Sequence, residues 1–297
     1  MEPLKFINTE VLNIAYYEEG SADGPVAMLM HGFPYDIHSY VEVAPLLAAK
    51  GIRVIVPYLR GYAPTTFLDA NTMRSGEQAA IGMDLIELMD ALQIKKAVVA
   101  GYDWGGRAAC VAAALFPERC TGLVSVNSYL IQDIKNAGKP VSPEKEVPLW
   151  YQYYFHQERG RKGLEKHRKE IAHILWKQWS PNWKFSEADL DRTAKAFDSP
   201  DYVDIVIHSY RHRFGLVPGD PRYAAIQYKL DLLPPITVPS ITLDGAGDGV
   251  VAATDGSSTA GFFKGKREHQ VIPLVGHNFP KEAPEIFADA VVKLVIK

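Results

Sequence analysis

Six short apolar runs, at 26–30, 52–57, 97–100, 122–126, 238–243 and 270–272, punctuate this chain and leave few architectures open. Each is too short for a helix, and turn-formers bound them, as Gly24-Pro25 and His31-Gly32 do for the first. Between them lie segments with helical spacing. Residues 81–92 place Ile81, Leu85, Leu88, Met89 and Leu92 three and four positions apart, while 107–116 is Ala-rich and stops at Pro117. Buried strands alternating with helices predict an α/β protein whose mainly parallel sheet is flanked by helices on both faces.

The alternation fails between 131 and 233, where the text turns aromatic and polar with no buried strand. This stretch holds Trp150, Trp176, Trp179 and Trp183, four of the five tryptophans, between proline-rich seams at 140–148 and at Pro234-Pro235. It predicts a helical cap, 131–233, inserted between two parts of one core, 1–130 and 234–297, and laid over the strand ends where open α/β sheets place their sites. A net charge of −3 argues against a nucleic-acid partner. The basic stretch 159–169 is flanked and interrupted by Glu158, Glu165 and Glu170, so it reads as a solvated helix face. The two cysteines, Cys110 and Cys120, have no metal-site spacing and are expected to be reduced and buried. With no basic leader followed by an apolar run, and no segment near roughly 18 uninterrupted apolar residues, the expectation is a cytoplasmic protein away from membranes.

Gly101-Tyr102-Asp103-Trp104-Gly105-Gly106 falls directly after the 97–100 strand and before a helix. Glycines two positions to either side of a central residue fit a strained strand-to-helix elbow that presents that residue at the top of the sheet. An Asp there also suits a helix N-cap, but capping needs neither Gly101 nor Gly105. A carboxylate is ionised at neutral pH and needs no base to become a nucleophile. Its suitable electrophile is saturated carbon bearing a leaving group, because attack there gives an alkyl ester that water can later cleave. Strained epoxides and carbon–halogen bonds are the substrates this chemistry allows.

The second half of such a reaction needs a base to activate water, and His277, in Val275-Gly-His-Asn-Phe-Pro280, stands after the last predicted strand. Asp248 or Asp244 could orient it, with Asp248 preferred, in the chain order nucleophile, acid, histidine. His31-Gly32-Phe33-Pro34 follows the first buried strand and fits an oxyanion hole made by the backbone N–H groups of Phe33 and Trp104. His31 is given a positioning role only, Pro34 is expected to fix a strained bond, cis in one reading, and both are placed at the substrate pocket.

With these residues in place the chain resembles the epoxide hydrolases of the α/β-hydrolase fold, relatives of the haloalkane and haloacid dehalogenases. The resemblance covers the core on both sides of the insertion, through His31 to Pro34, Gly101 to Gly106, Gly276 to Pro280 and the loop Leu59-Arg60-Gly61-Tyr62. Tyr58 stands where an Asp is usual, and Tyr102 replaces a frequent His. The resemblance implies two cap tyrosines that protonate the epoxide oxygen, at Tyr151 and Tyr210, with Tyr153 and Tyr154 as alternatives on the first helix. It implies no metal and no cofactor.

Two other readings compete. Fluoroacetate dehalogenases carry an Arg directly after the nucleophile, a His-Trp-Tyr halide pocket and an acid after the sixth strand. Here Trp104, Trp150-Tyr151 and Asn127 hold those places, and only Arg107 survives of a carboxylate clamp. Haloalkane dehalogenases pair the elbow tryptophan with an Asn where this chain has Phe33. A non-catalytic, ligand-binding member of the fold should have lost part of the machinery, which is present in full. The sequence therefore predicts a small-molecule hydrolase acting on an apolar epoxide, its pocket completed by Arg107, Trp150 and Tyr154.

Overall fold

Strands covered on both faces have no use for polar alternation, and five of the six apolar runs accordingly form the middle of one nine-stranded sheet, whereas 270–272 falls in a half-exposed strand at its edge. In the computed structural model, which describes residues 1–295, the strands are β1 (Leu4–Asn8), β2 (Leu12–Glu19), β3 (Val26–Met30), β4 (Arg53–Pro57), β5 (Thr66–Phe67), β6 (Ala97–Gly101), β7 (Cys120–Val126), β8 (Ser240–Gly245) and β9 (Arg267–Ile272). Their order is β1-β2-β4-β3-β6-β7-β8-β9, with β5 paired to β2. From β4 to β9 all neighbours are parallel, and β1, β2 and β5 make an antiparallel margin. That margin is missing from the sequence reading. β1 is largely exposed and β2 is only half covered toward Glu18 and Glu19, so neither presents an uninterrupted apolar run.

Chain direction across the sheet reverses beside β3. The chain leaves β3 for β4 through the helix Val43–Ala48, then returns through the helix Gln78–Ala91 to β6 on β3's other side. Right-handed crossovers that travel in opposite directions put their helices on opposite faces. Gln78–Ala91 therefore packs with Asp103–Leu115 in one layer, and Val43–Ala48 with Pro284–Val295 in the other. The gap between the ends of β3 and β6, where Met30 pairs with Gly101, is the point at which such sheets leave room for a ligand.

No strand lies between β7 and β8 among the described residues. The intervening chain forms a string of helices that includes Trp150–His156, Arg168–Trp179 and Tyr202–His212. It meets the core through Trp176, whose Nε1 donates to the carbonyl of Pro34 at 2.9 Å. The longest helices are far below membrane-spanning length, and no helix of the described residues is long and apolar enough to cross a bilayer.

Candidate active site

β6 delivers the chain into its elbow at Tyr102, and Asp103 takes φ +49°, a left-handed conformation that non-glycine residues rarely adopt. The glycines are what permit it. A Cβ on Gly105 would stand 2.0 Å from the carbonyl oxygen of Met30, and one on Gly101 2.5 Å from the carbonyl carbon of Gly105. The N-cap of the following helix is Tyr102, so Asp103 is not the cap. Its Oδ1 instead accepts the backbone N–H of Phe33 at 2.8 Å, across from the end of β3. Trp104, second residue of the helix, carries one of the first-turn N–H groups that have no partner within a helix, so it too has a donor free for this position.

On the other side of Asp103 stands His277. Its Nε2 is 3.7 Å from Asp103 Oδ2, an ion contact slightly longer than a hydrogen bond, while its Nδ1 is 2.8 Å from Asp248 Oδ2. Asp248 is fixed in turn, because its Oδ1 accepts the N–H groups of Val250 and Val251 at 2.8 and 2.9 Å. Asp244, the other acid of this loop, accepts from Thr254 and organises the chain after β8. Burial disfavours charge on Asp103 and His277, yet the opposed charges win. His277 is pushed up to about 10 by Asp248 and Asp103, against its desolvation. Burial alone would raise Asp103, but His277, Arg107 and the Phe33 N–H bring it down to about 2. The resting site is an imidazolium between two carboxylates.

Above Asp103 lies an aromatic wall. The Phe33 ring stacks on Trp104 at 5.5 Å and on Tyr151 at 6.4 Å and meets Tyr210 edge-on at 5.3 Å. Tyr151 and Tyr210, from the helices Trp150–His156 and Tyr202–His212, are 5.2 Å apart between centroids. Both are buried. Tyr151 Oη accepts from Gln152 Nε2 at 3.0 Å, which leaves its own proton free, and Tyr210 Oη is unbonded among the described residues. Burial pushes Tyr151 up to about 12 and Tyr210 well above the usual phenol value, so both stay protonated.

The remaining residues singled out in the sequence fall around this centre. His31 is buried, donating from Nδ1 to the Gly32 carbonyl while its Nε2 accepts the Leu59 N–H at 3.1 Å; it braces the turn, and burial holds it down at about 4. Pro34 follows a cis bond from Phe33. Arg107 lies one helical turn after Asp103. Trp150 meets Tyr151 edge-on at 6.3 Å, but its Nε1 is engaged by Gln178, and Tyr154 packs over Gly163, so both stand behind the wall rather than in it. Tyr153 faces solvent and bonds Glu146.

Four supporting residues escaped the sequence reading. Trp179 contacts both His277 and Tyr151, each at 5.0 Å between ring centroids. Ser180 Oγ accepts the N–H of His277 at 3.0 Å while donating to Glu282. Asn127, singled out only as the occupant of another family's acid position, donates to Asp248 Oδ2 at 3.4 Å. Arg213 stacks on Tyr210, its guanidinium carbon 4.2 Å from the ring centre. Each acts through tertiary contact, and no local spacing marks such a role.

A family model described as the alpha/beta hydrolase fold matches residues 25–284. Among solved structures, one is 47% identical with a TM-score of 0.97 over 99% of this chain and 97% of the other; it is a protein from Klebsiella pneumoniae provisionally assigned as an epoxide hydrolase. The AB hydrolase superfamily protein YfhM of Bacillus subtilis is 26% identical over 228 residues, 76% of this chain and 79% of that protein. Epoxide hydrolase B of Mycobacterium tuberculosis is 31% identical over 150 residues, 46% of this chain and 41% of that protein. Bifunctional epoxide hydrolase 2 of Sus scrofa is 29% identical over 212 residues, 71% of this chain and 34% of that protein. The match thus spans less than half the length of these last two relatives, both of which bear epoxide-hydrolase names.

Proposed function

Because the chain belongs to the alpha/beta hydrolase fold family, we propose that it is an epoxide hydrolase that makes a vicinal diol through an alkyl ester of Asp103. One observation carries the reading: an ionised carboxylate on the elbow, with one oxygen on the Phe33 N–H and the other toward His277, faces two buried phenols that keep their protons. In the first step an oxygen of Asp103 attacks a ring carbon, that carbon's bond to the ring oxygen breaks, and the oxygen takes a proton from Tyr151 or Tyr210; the phenolate so formed is reprotonated at the expense of the His277 imidazolium, directly or through solvent, which leaves His277 neutral. An alkoxide is a poor leaving group, so a positioned acid is what this step demands.

In the second step His277 removes a proton from water, and the hydroxide attacks the carbonyl carbon of the ester. The Phe33 and Trp104 N–H groups stabilise the oxyanion that forms. The acyl C–O bond then breaks, the departing alkoxide takes the proton held by His277 and leaves as the diol, and the acid formed at Asp103 gives up its proton, restoring the carboxylate and the His277 imidazolium. Asp248 holds His277 in the tautomer and direction this requires. The aromatic wall supports a substrate with an apolar body, bound under the cap helices. Similarity to proteins named epoxide hydrolases supports the same assignment.

A carbon–halogen substrate is the second reading. It is favoured by the indole Nε1 groups of Trp104 and Trp179, both buried without a partner among the described residues and both able to hold a halide. The two reactions separate in one experiment, the intact mass of a His277→Gln protein incubated with aryl and alkyl epoxides, haloalkanes and fluoroacetate. Blocking the water step traps the ester. The expected gain is the mass of a whole epoxide. A gain equal to a halide substrate minus hydrogen halide would move the protein to the dehalogenases, and folded protein with no adduct from any of them would sink the covalent mechanism.

A further inference from the structure

The reaction above employs a carboxylate, two phenols, an imidazole and water, and it has no task for a guanidinium. Two guanidinium groups nevertheless converge on it. Arg107 is four residues after Asp103 and therefore on the same face of the helix Asp103–Leu115. Arg213 directly follows the helix Tyr202–His212, is 6% exposed, and lies against the ring of Tyr210 at 4.2 Å. The Nε of each is buried without a partner among the described residues, and Arg213 reaches only as far as Ser209 Oγ at 3.5 Å.

The protein treats its other buried arginine differently. Arg60, fully buried, is held in a two-pronged pair with Asp84 at 2.6 Å on each arm. The carboxylate that acts on Arg213, and on which Arg107 also acts, is Asp103, whose Oδ1 already accepts from Phe33 and whose charge disappears when the ester forms. From that moment two cations would face a neutral ester. Burial and the charge of Arg107 already bring Arg213 down to about 10, the mark of a cation short of a counter-ion.

We propose that Arg107 and Arg213 form an anion subsite beside Asp103, and that the substrates are epoxides bearing a carboxylate next to an otherwise apolar body. A planar carboxylate offers the paired acceptors that a guanidinium fork binds best. It also supplies the negative charge that Asp103 gives up, so the cations stay compensated throughout the cycle. This substrate class rests on the epoxide reading, but the anion subsite can be measured apart from it.

The test compares glycidate with its methyl ester as substrates, and glycerate with methyl glycerate as ligands of the Asp103→Asn protein by calorimetry. For the wild type, glycidate should have the higher kcat/KM by about tenfold or more. Arg213→Met should collapse that ratio chiefly through KM, with Arg213→Lys retaining part of it. Because Met removes a buried, unpaired charge, the variant is expected to fold and to melt no lower than the wild type, and Arg107→Met provides a second measurement. Glycidate and its ester opened equally well would overturn the subsite while leaving the epoxide reading intact. Glycerate bound by Asp103→Asn and lost with Arg213→Met, in a protein that opens no epoxide, would uphold the subsite and reject that reading. An equal fall in kcat on both substrates with a shifted pH profile would make Arg213 a positioning residue for Tyr210 and overturn the proposal.

Discussion

His277 holds a proton in the resting site and must lack one when it activates water. Flanked by Asp248 and Asp103, it is pushed up to about 10 and rests as imidazolium. Esterification of Asp103 removes one of the two carboxylates, so the affinity for the proton falls at the step that needs a base. Asp103, at about 2, is ionised throughout the ordinary range. Ester formation should therefore be flat with pH from about 4 to 9, while steady-state turnover falls on the acid side, where His277 of the ester intermediate is protonated. Rapid-quench measurement of substrate consumption against turnover separates the two; an acid limb in the first would contradict the assignment. Asp248→Asn is expected to lower kcat on the order of 10⁴-fold by misdirecting the imidazole, yet to leave the ester-forming step in place. Intact mass should then show accumulated ester during turnover, and its absence would mean that Asp248 also serves the first step.

Gly61 shows how an element is positioned by a residue with no chemistry. It takes φ +79°, and a Cβ there would stand 2.8 Å from Cβ of Ile205, on the helix that carries Tyr210. Beside it Arg60 donates to Asp84 and to Tyr223 Oη, so the loop after β4 ties the core to the inserted helices. Gly61→Ala should cost about 1–3 kcal/mol in urea unfolding and lower kcat by displacing Tyr210. Unchanged stability and kcat would show that the helix adjusts freely. The sequence displayed Leu59-Arg60-Gly61-Tyr62 as a resemblance but not as a seam, because its partners Asp84, Ile205 and Tyr223 lie far along the chain. The same physics divides the legible from the illegible elsewhere. β3, β4, β6, β7 and β8 are covered on both faces, so their apolar runs stand out, whereas the half-exposed edge strand β9 showed only its last residues, 270–272, and the largely exposed β1 blends with loops. Asp103 and His277 were readable because the elbow and the loop after the last strand constrain their own neighbours. Arg213, Trp179 and Ser180 were not, since their roles exist only once the insertion is folded onto the core.

At the scale of the molecule, the buried histidines should give the fold a stability optimum near neutrality. His31 is held at about 4 by burial, against an ordinary value of 6.5, so the unfolded chain binds its proton first as pH falls. Its contribution is complete above 6.5 and is lost on descent to about 4, which amounts to about 3 kcal/mol. His212, whose neutral form burial also favours, loses stability in the same direction. His277 works with the opposite sign: raised to about 10, it stabilises fully below 6.5 and loses that contribution as pH rises toward 10. Asp103 adds a loss only below 3.8, as pH falls through about 2. Urea unfolding should therefore be most resisted near pH 6 to 7, with the acid limb set largely by His31. His31→Asn removes that titration, so the variant is expected to be weaker at pH 6.5 but to lose less on transfer to pH 4.5 than the wild type does. Parallel losses in the two proteins would show that His31 is not held neutral and that the turn between β3 and the Phe33 N–H is braced by something else.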